Sequence, residues 1–116
     1  MKIINQSKNT VLAQDIIVTD NFLSRAKGLL GRKEFLAGQA LIIKPAKSIH
    51  TFFMHFPIDV LFVNKNKKII KAITALAPYR FTAFYFNAVL VIELPAYTLQ
   101  KTSTQEGDLL SFDFAF

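Results

Sequence analysis

Apolar positions along the chain fall into short runs divided by polar punctuation, and most runs read as strands. The most apolar and aromatic run spans residues 49–64 and carries both histidines, Met54, Pro57 and Asp59. Strand formers dominate it. Proline cannot donate a ladder hydrogen bond, so Pro57 divides the run into strands at 49–55 and 59–64 and presents Asp59 at the corner. Upstream, residues 3–4 and 10–18 are strand-like, with Gln14 and Asp15 interrupting the second run as a bulge or hairpin. Asp20 is placed to cap a helix. Phe22, Leu23, Ala26, Leu29 and Leu30 follow at helical spacing, and Gly31 stops it. A strand from Ala40 to Lys44 ends at Pro45.

Downstream, residues 64–67 form a polar turn between apolar arms, which predicts a hairpin whose second arm runs from Lys68 to Leu76. Residues 81–87 form a ring-rich loop that must pack on something. Residues 88–94 read as a buried strand stopped by Pro95, and residues 97–101 as a short strand or turn. A polar loop at 102–108 leads to a closing strand at 109–114. The sum is an α+β domain, mostly β: a curled antiparallel sheet or partly open barrel of short strands with one helix packed on it. Its 116 residues suit one domain, 1–116.

Composition narrows the chemistry. Hydrophobic residues make up 52%, which argues against disorder, and twelve Phe with no Trp predict a core of phenyl rings. Without cysteine, a disulfide framework, thiol catalysis and a Cys-ligated metal are excluded. No apolar run approaches the ~20 residues of a membrane span. No apolar leader follows Met1, so the expectation is a cytoplasmic protein if Met1 is the native start, and an exported one if a leader preceded it. The net charge of +6 permits contact with nucleic acid or anionic membranes and also serves plain solubility.

Five constellations merit weighing. His50, Met54, His55 and Asp59 have metal-ligand chemistry, but strand alternation puts His50 and Met54 on one face and His55 on the other, so no metal or cofactor is expected. Ser48, His50 and Asp59 are the residue types of a nucleophile–base–acid set, without a nucleophile elbow around the serine. Glu93 lies in an apolar strand and needs a partner, for which Arg25 or Arg32 on the helix serves as a structural ion pair. Asp59 suits backbone amides of the adjacent turn, or His50 or Arg80. Phe81, Phe84, Tyr85 and Phe86, with Arg80, Lys47 and Lys44 near in sequence, form either an aromatic–basic surface for single-stranded nucleic acid or sugars, or part of the core.

Thr51-Phe52-Phe53-Met54, then Phe56-Pro57-Ile58-Asp59 and the strand to Val63, resemble the signature of the uncharacterised family DUF192, also called UPF0127. Arg25, Gly28, Leu29, Leu30 and Arg32 resemble its helix segment. Gly38 to Ile42 and Glu93-Leu94-Pro95-Ala96 resemble its strands, and Gly107-Asp108 its last turn. The resemblance covers residues 10–114 and implies a fold rather than a reaction. The chain departs from the pattern at His55, Tyr97 and Lys47, where members often carry a basic residue, Gly and, nearby, Cys.

The expected function is a small soluble binding module, leaning away from catalysis. Its polar and aromatic pocket lies at one end of the sheet, rimmed by His50, Thr51, Met54, Asp59, Arg80 and Glu93. The expected ligand is a polar small molecule, a sugar or a peptide. The alternatives are a hydrolase or metal-dependent enzyme using His50 and Asp59, and a nucleic-acid contact protein using its basic surface.

Overall fold

A computed structural model describes residues 1–20, 35–52 and 54–115. Its strands in chain order are β1 (Ile3–Asn5), β2 (Thr10–Ala13), β3 (Asp15–Thr19), β4 (Gln39–Ile43), β5 (Ile58–Val63), β6 (Ile69–Leu76), β7 (Leu90–Pro95) and β8 (Leu110–Phe112). One helical turn, α1 (Thr98–Lys101), stands where the sequence suggested a short strand or turn. The helix expected over 22–30 lies outside the described residues, as do Arg25 and Arg32.

The strands form two sheets, neither closed: β2-β1-β8 and β3-β4-β7-β5-β6. The expected mostly-β, α+β class is what the structure has. Pairing is antiparallel except for β3 and β4, which run parallel. The interruption at Gln14 is where the chain leaves the small sheet for the large one, and Gly38 O accepts from both Gln14 N–H and Asp15 N–H there, each at 2.9 Å.

β5 and β7 are buried at all six positions, as central strands covered on both faces require. Alternation along them separates two cores. Leu61, Val63, Ile92 and Leu94 point one way and pack with Ile3, Leu12 and Leu110 of the small sheet. Val60, Phe62 and Val91 point the other way and pack with Ile49, Met54 and Tyr85. The small sheet therefore covers one face, and two irregular segments, 45–56 and 77–89, cover the other.

That second layer corrects one expectation. The described residues of 49–55 do not form a strand: among them only His50 makes a bridge, with Phe81. β5 already has β6 and β7 as neighbours, and β4 has β3 and β7, so no edge beside these strands remains for them. Their polar groups are satisfied loop to loop instead. Thr51 N–H donates to Arg80 O at 2.8 Å, and Tyr79 N–H to Thr51 O at 2.9 Å. The Thr51 hydroxyl, on a buried residue, donates to Ala77 O at 2.7 Å and accepts from Arg80 N–H at 2.9 Å. One threonine thus stitches the two covering segments together.

Candidate functional site

The covering layer leaves a groove of about 420 Å³ beside the end of β4. Its apolar wall is Ile43, Pro45, Ala46, Ile49 and Phe81, and its polar residues are Asp20, Ser48, His50 and Thr82. β4 ends at Ile43, and Pro45, Ser48, Ile49 and His50 of the segment that follows line the groove. Thr82 fixes the opposite side: its hydroxyl accepts from Ile49 N–H at 3.0 Å, and its own N–H donates to Ile49 O at 3.0 Å.

His50 sits at the junction of this groove and an aromatic cluster. Its ring lies 5.0 Å from that of Phe52 and 6.1 Å, edge-on, from that of Phe81; Phe52 and Phe81 are 4.6 Å apart. Nδ1 accepts from Phe52 N–H at 3.3 Å. In a triad the base instead donates from Nδ1 to a carboxylate, an arrangement this contact does not provide.

Of the six residues expected on the rim, only His50 lines the groove. Thr51 is the buried stitch described above. Met54 is 5% exposed and belongs to the core beneath the layer. Arg80 is exposed; its backbone holds Thr51, and its guanidinium reaches Tyr79 O at 3.4 Å. Glu93 is wholly buried on β7, paired in register with Leu41 and Val60 on the side of the covering layer. Its expected partners Arg25 and Arg32 lie outside the described residues.

Asp59 is on the other face. Alternation along β5 puts it with Leu61 and Val63, away from Val60 and Phe62. It is fully buried, and its two carboxylate oxygens accept from Ala75 N–H at 2.8 Å and Leu99 N–H at 2.9 Å. Ala75 has a φ of 48°, and its amide is the one freed where the register between β5 and β6 shifts. Asp59 therefore clamps an edge-strand irregularity to α1. The expected pairing of Asp59 with His50, for hydrolysis or for a metal, is overturned because the sheet separates them. His55 is exposed, Met54 is core, and the expected face alternation of residues 50–55 does not apply, since they are not a strand. Among the described residues, no group of three or more His, Asp or Glu side chains is arranged to hold a metal ion.

Sequence reasoning missed Asp20 and Thr82 as groove residues. Asp20 reads as a helix cap, and Thr82 is an ordinary loop threonine; neither carries a local signal for the groove, which exists only once β4 meets the 77–89 segment.

A second polar cluster lies at the small sheet. Buried Asn5 donates through Nδ2 to Thr104 Oγ1 at 3.0 Å and to Asp108 Oδ2 at 2.9 Å, and its own Oδ1 accepts from Lys8 N–H at 3.0 Å. Lys8 Nζ meets Asp108 Oδ1 at 2.8 Å. Burial pushes the Asp108 carboxyl up, but hydrogen bonds from Asn5, Lys8 and Gln105 N–H, with the Lys8 charge, outweigh it and hold the group below its ordinary range.

The comparisons with known proteins agree with this architecture. The family DUF192, described as "Uncharacterized ACR, COG1430", matches residues 3–112. A UPF0127 protein of Pyrococcus furiosus is 30% identical over 115 residues, covering 95% of this chain and 97% of that one. One of Pyrococcus abyssi is 35% identical over 112 residues, covering 91% and 92%. A crystal structure of a protein of unknown function from Novosphingobium aromaticivorans superposes with a TM-score of 0.77 at 15% identity, covering 96% of this chain and 82% of that one, a likeness of fold. A match across nearly the whole chain, to the family and to relatives of almost equal length, places this protein in the DUF192 (UPF0127) family.

Proposed function

We propose that this protein is a small-ligand binding module and that the groove at His50 is its site. The supporting observation is convergence: a carboxylate, two hydroxyls and an imidazole meet a wall of Ile43, Pro45, Ile49 and Phe81 around one opening. Small-molecule sites have this composition, mostly apolar with a few placed polar groups. The ligand class that suits it is a polar small molecule with one apolar face. A sugar combines both, with C–H groups for the Phe81 ring and hydroxyls for Asp20 and Ser48. His50 Nδ1 faces the Phe52 N–H rather than a carboxylate, which supports binding over general-base work.

The test is a melting-temperature screen against monosaccharides, polyols, amino acids and short peptides, since a compound that binds only the folded form raises the transition. A hit is expected to lose its shift in Ser48→Ala and His50→Ala, both folded. A panel with no hit, or a shift that survives both substitutions, ends this reading of the groove.

A further inference from the structure

Residues 81–87 carry four aromatic side chains, and these divide sharply. Tyr85 turns inward onto Phe62, with ring centroids 4.4 Å apart. Phe81, Phe84 and Phe86 face solvent at 72%, 64% and 76% exposure. This exposure belongs to a segment held firmly against the body. Tyr85 N–H donates to Lys47 O at 2.8 Å, and Ala88 N–H to Tyr85 O at 3.0 Å. Lys47 Nζ donates to Phe86 O at 2.6 Å and to Ala88 O at 2.8 Å, and the Thr82 hydroxyl reaches Ala83 O at 3.0 Å. Backbone groups of Ala83, Tyr85 and Phe86 thus bond within the protein while three phenyl rings face outward.

Charge adds a second, independent observation. From residue 35 to residue 92 the chain carries seven Lys and Arg and a single carboxylate, Asp59, which is buried on the opposite core face. Arg80 directly precedes Phe81 and is exposed. At the far end of the segment, Val89 N–H donates to Val63 O at 2.8 Å, so the loop finishes beside the hairpin turn that carries exposed Lys65, Lys67 and Lys68. Exposed rings with Arg80 beside them in sequence, next to a lysine-bearing turn, complement an anionic lipid surface, where rings enter the interface and lysines meet headgroups, although Lys71 of this stretch is paired with exposed Glu106. A single-stranded nucleic acid would use the same charge but needs cations alongside its stacking rings. Here the Lys47 ammonium, 5.5 Å from the Phe86 ring, is taken up by backbone carbonyls.

We propose that loop 81–87 is a peripheral membrane-docking element that places Phe84 and Phe86 in the interface of an anionic bilayer. Neither ring lines the His50 groove, so docking and groove binding fail or hold separately. Among the described residues no helix is long and apolar enough to cross a bilayer.

Co-sedimentation of the full chain tests this, with phosphatidylglycerol-containing vesicles against pure phosphatidylcholine vesicles at low and high salt. The expected result is sedimentation with the anionic vesicles, weakened by salt, and a loss of at least ~tenfold in partitioning for the Phe84→Ser, Phe86→Ser double variant. Its melting temperature is expected to stay near the parent's, because both rings are exposed. The chain has no tryptophan, so Phe84→Trp supplies a single reporter in an otherwise intact loop, expected to shift to the blue on adding anionic vesicles. Parent protein left in the supernatant, a double variant that sediments like the parent, or an unshifted tryptophan overturns the proposal. So does binding to a single-stranded oligonucleotide, or self-association abolished by the double variant, if the vesicles capture nothing.

Discussion

The Asp108 cluster and the His50 groove gather similar side chains and use them differently. At the small sheet, Asn5, Lys8, Thr104 and Asp108 bond to one another and to Gln105 N–H, and the residues other than Lys8 are buried. At the groove, Asp20, Ser48, His50 and Thr82 border an opening. The first arrangement closes the chain on itself, tying the loop after β1 to the loop before β8. The second sets Asp20 and Ser48 at an opening, beside a Thr82 hydroxyl and a His50 Nδ1 that are bonded to neighbouring backbone. Asp59 belongs with the closed kind, since both its oxygens accept from backbone amides. A buried carboxylate in a small apolar protein is therefore poor evidence of a site until its partners are known.

Substitutions can break or sharpen this contrast. The largest effect is expected for Asp59→Ala, which leaves two buried amides, of Ala75 and Leu99, without acceptors and should cost about 3–5 kcal/mol in denaturant unfolding. A loss below about 1 kcal/mol would remove Asp59 from the closed class. Asp108→Asn is expected to cost about 1–2 kcal/mol at neutral pH, through loss of the charge-assisted bond to Lys8. It should also change the acid limb. The folded carboxyl titrates below its ordinary value, so its stabilisation is present above about pH 4 and lost as pH falls through the folded value. Stability against pH should accordingly decline less steeply below pH ~4 in the variant than in the parent. The smallest effect is expected at the groove, where Ser48→Ala, at an exposed position, should shift stability by less than about 0.5 kcal/mol while still removing ligand response.

Strand positions were largely legible from the chain. Pro45, Pro57 and Pro95 end or divide apolar runs, and the interruption at Gln14 marks a change of sheet. Local chemistry sets these boundaries, because proline cannot donate a hydrogen bond whatever surrounds it. Residues 49–55 show where that reasoning stops. Their composition is that of a strand, yet with β5 and β4 flanked on both edges they became a covering layer held through Thr51. The 81–87 loop is a mixed case. Its rings did need something to pack on, and Tyr85 found Phe62, but three neighbouring phenylalanines stayed outside.

Which residues are apolar, where the chain turns and how charge is apportioned along it were decided by the sequence alone. The family resemblance followed from the same local patterns. Which buried polar group meets a backbone amide and which meets an opening was decided only by the tertiary structure. Asp59 and His50 lie nine positions apart, but one sits in a pleated strand whose alternation aims it at the small sheet, and the other lies in a loop over the opposite face. Pleat direction is a property of strand pairing, so the sheet between them separates residues that the sequence places side by side.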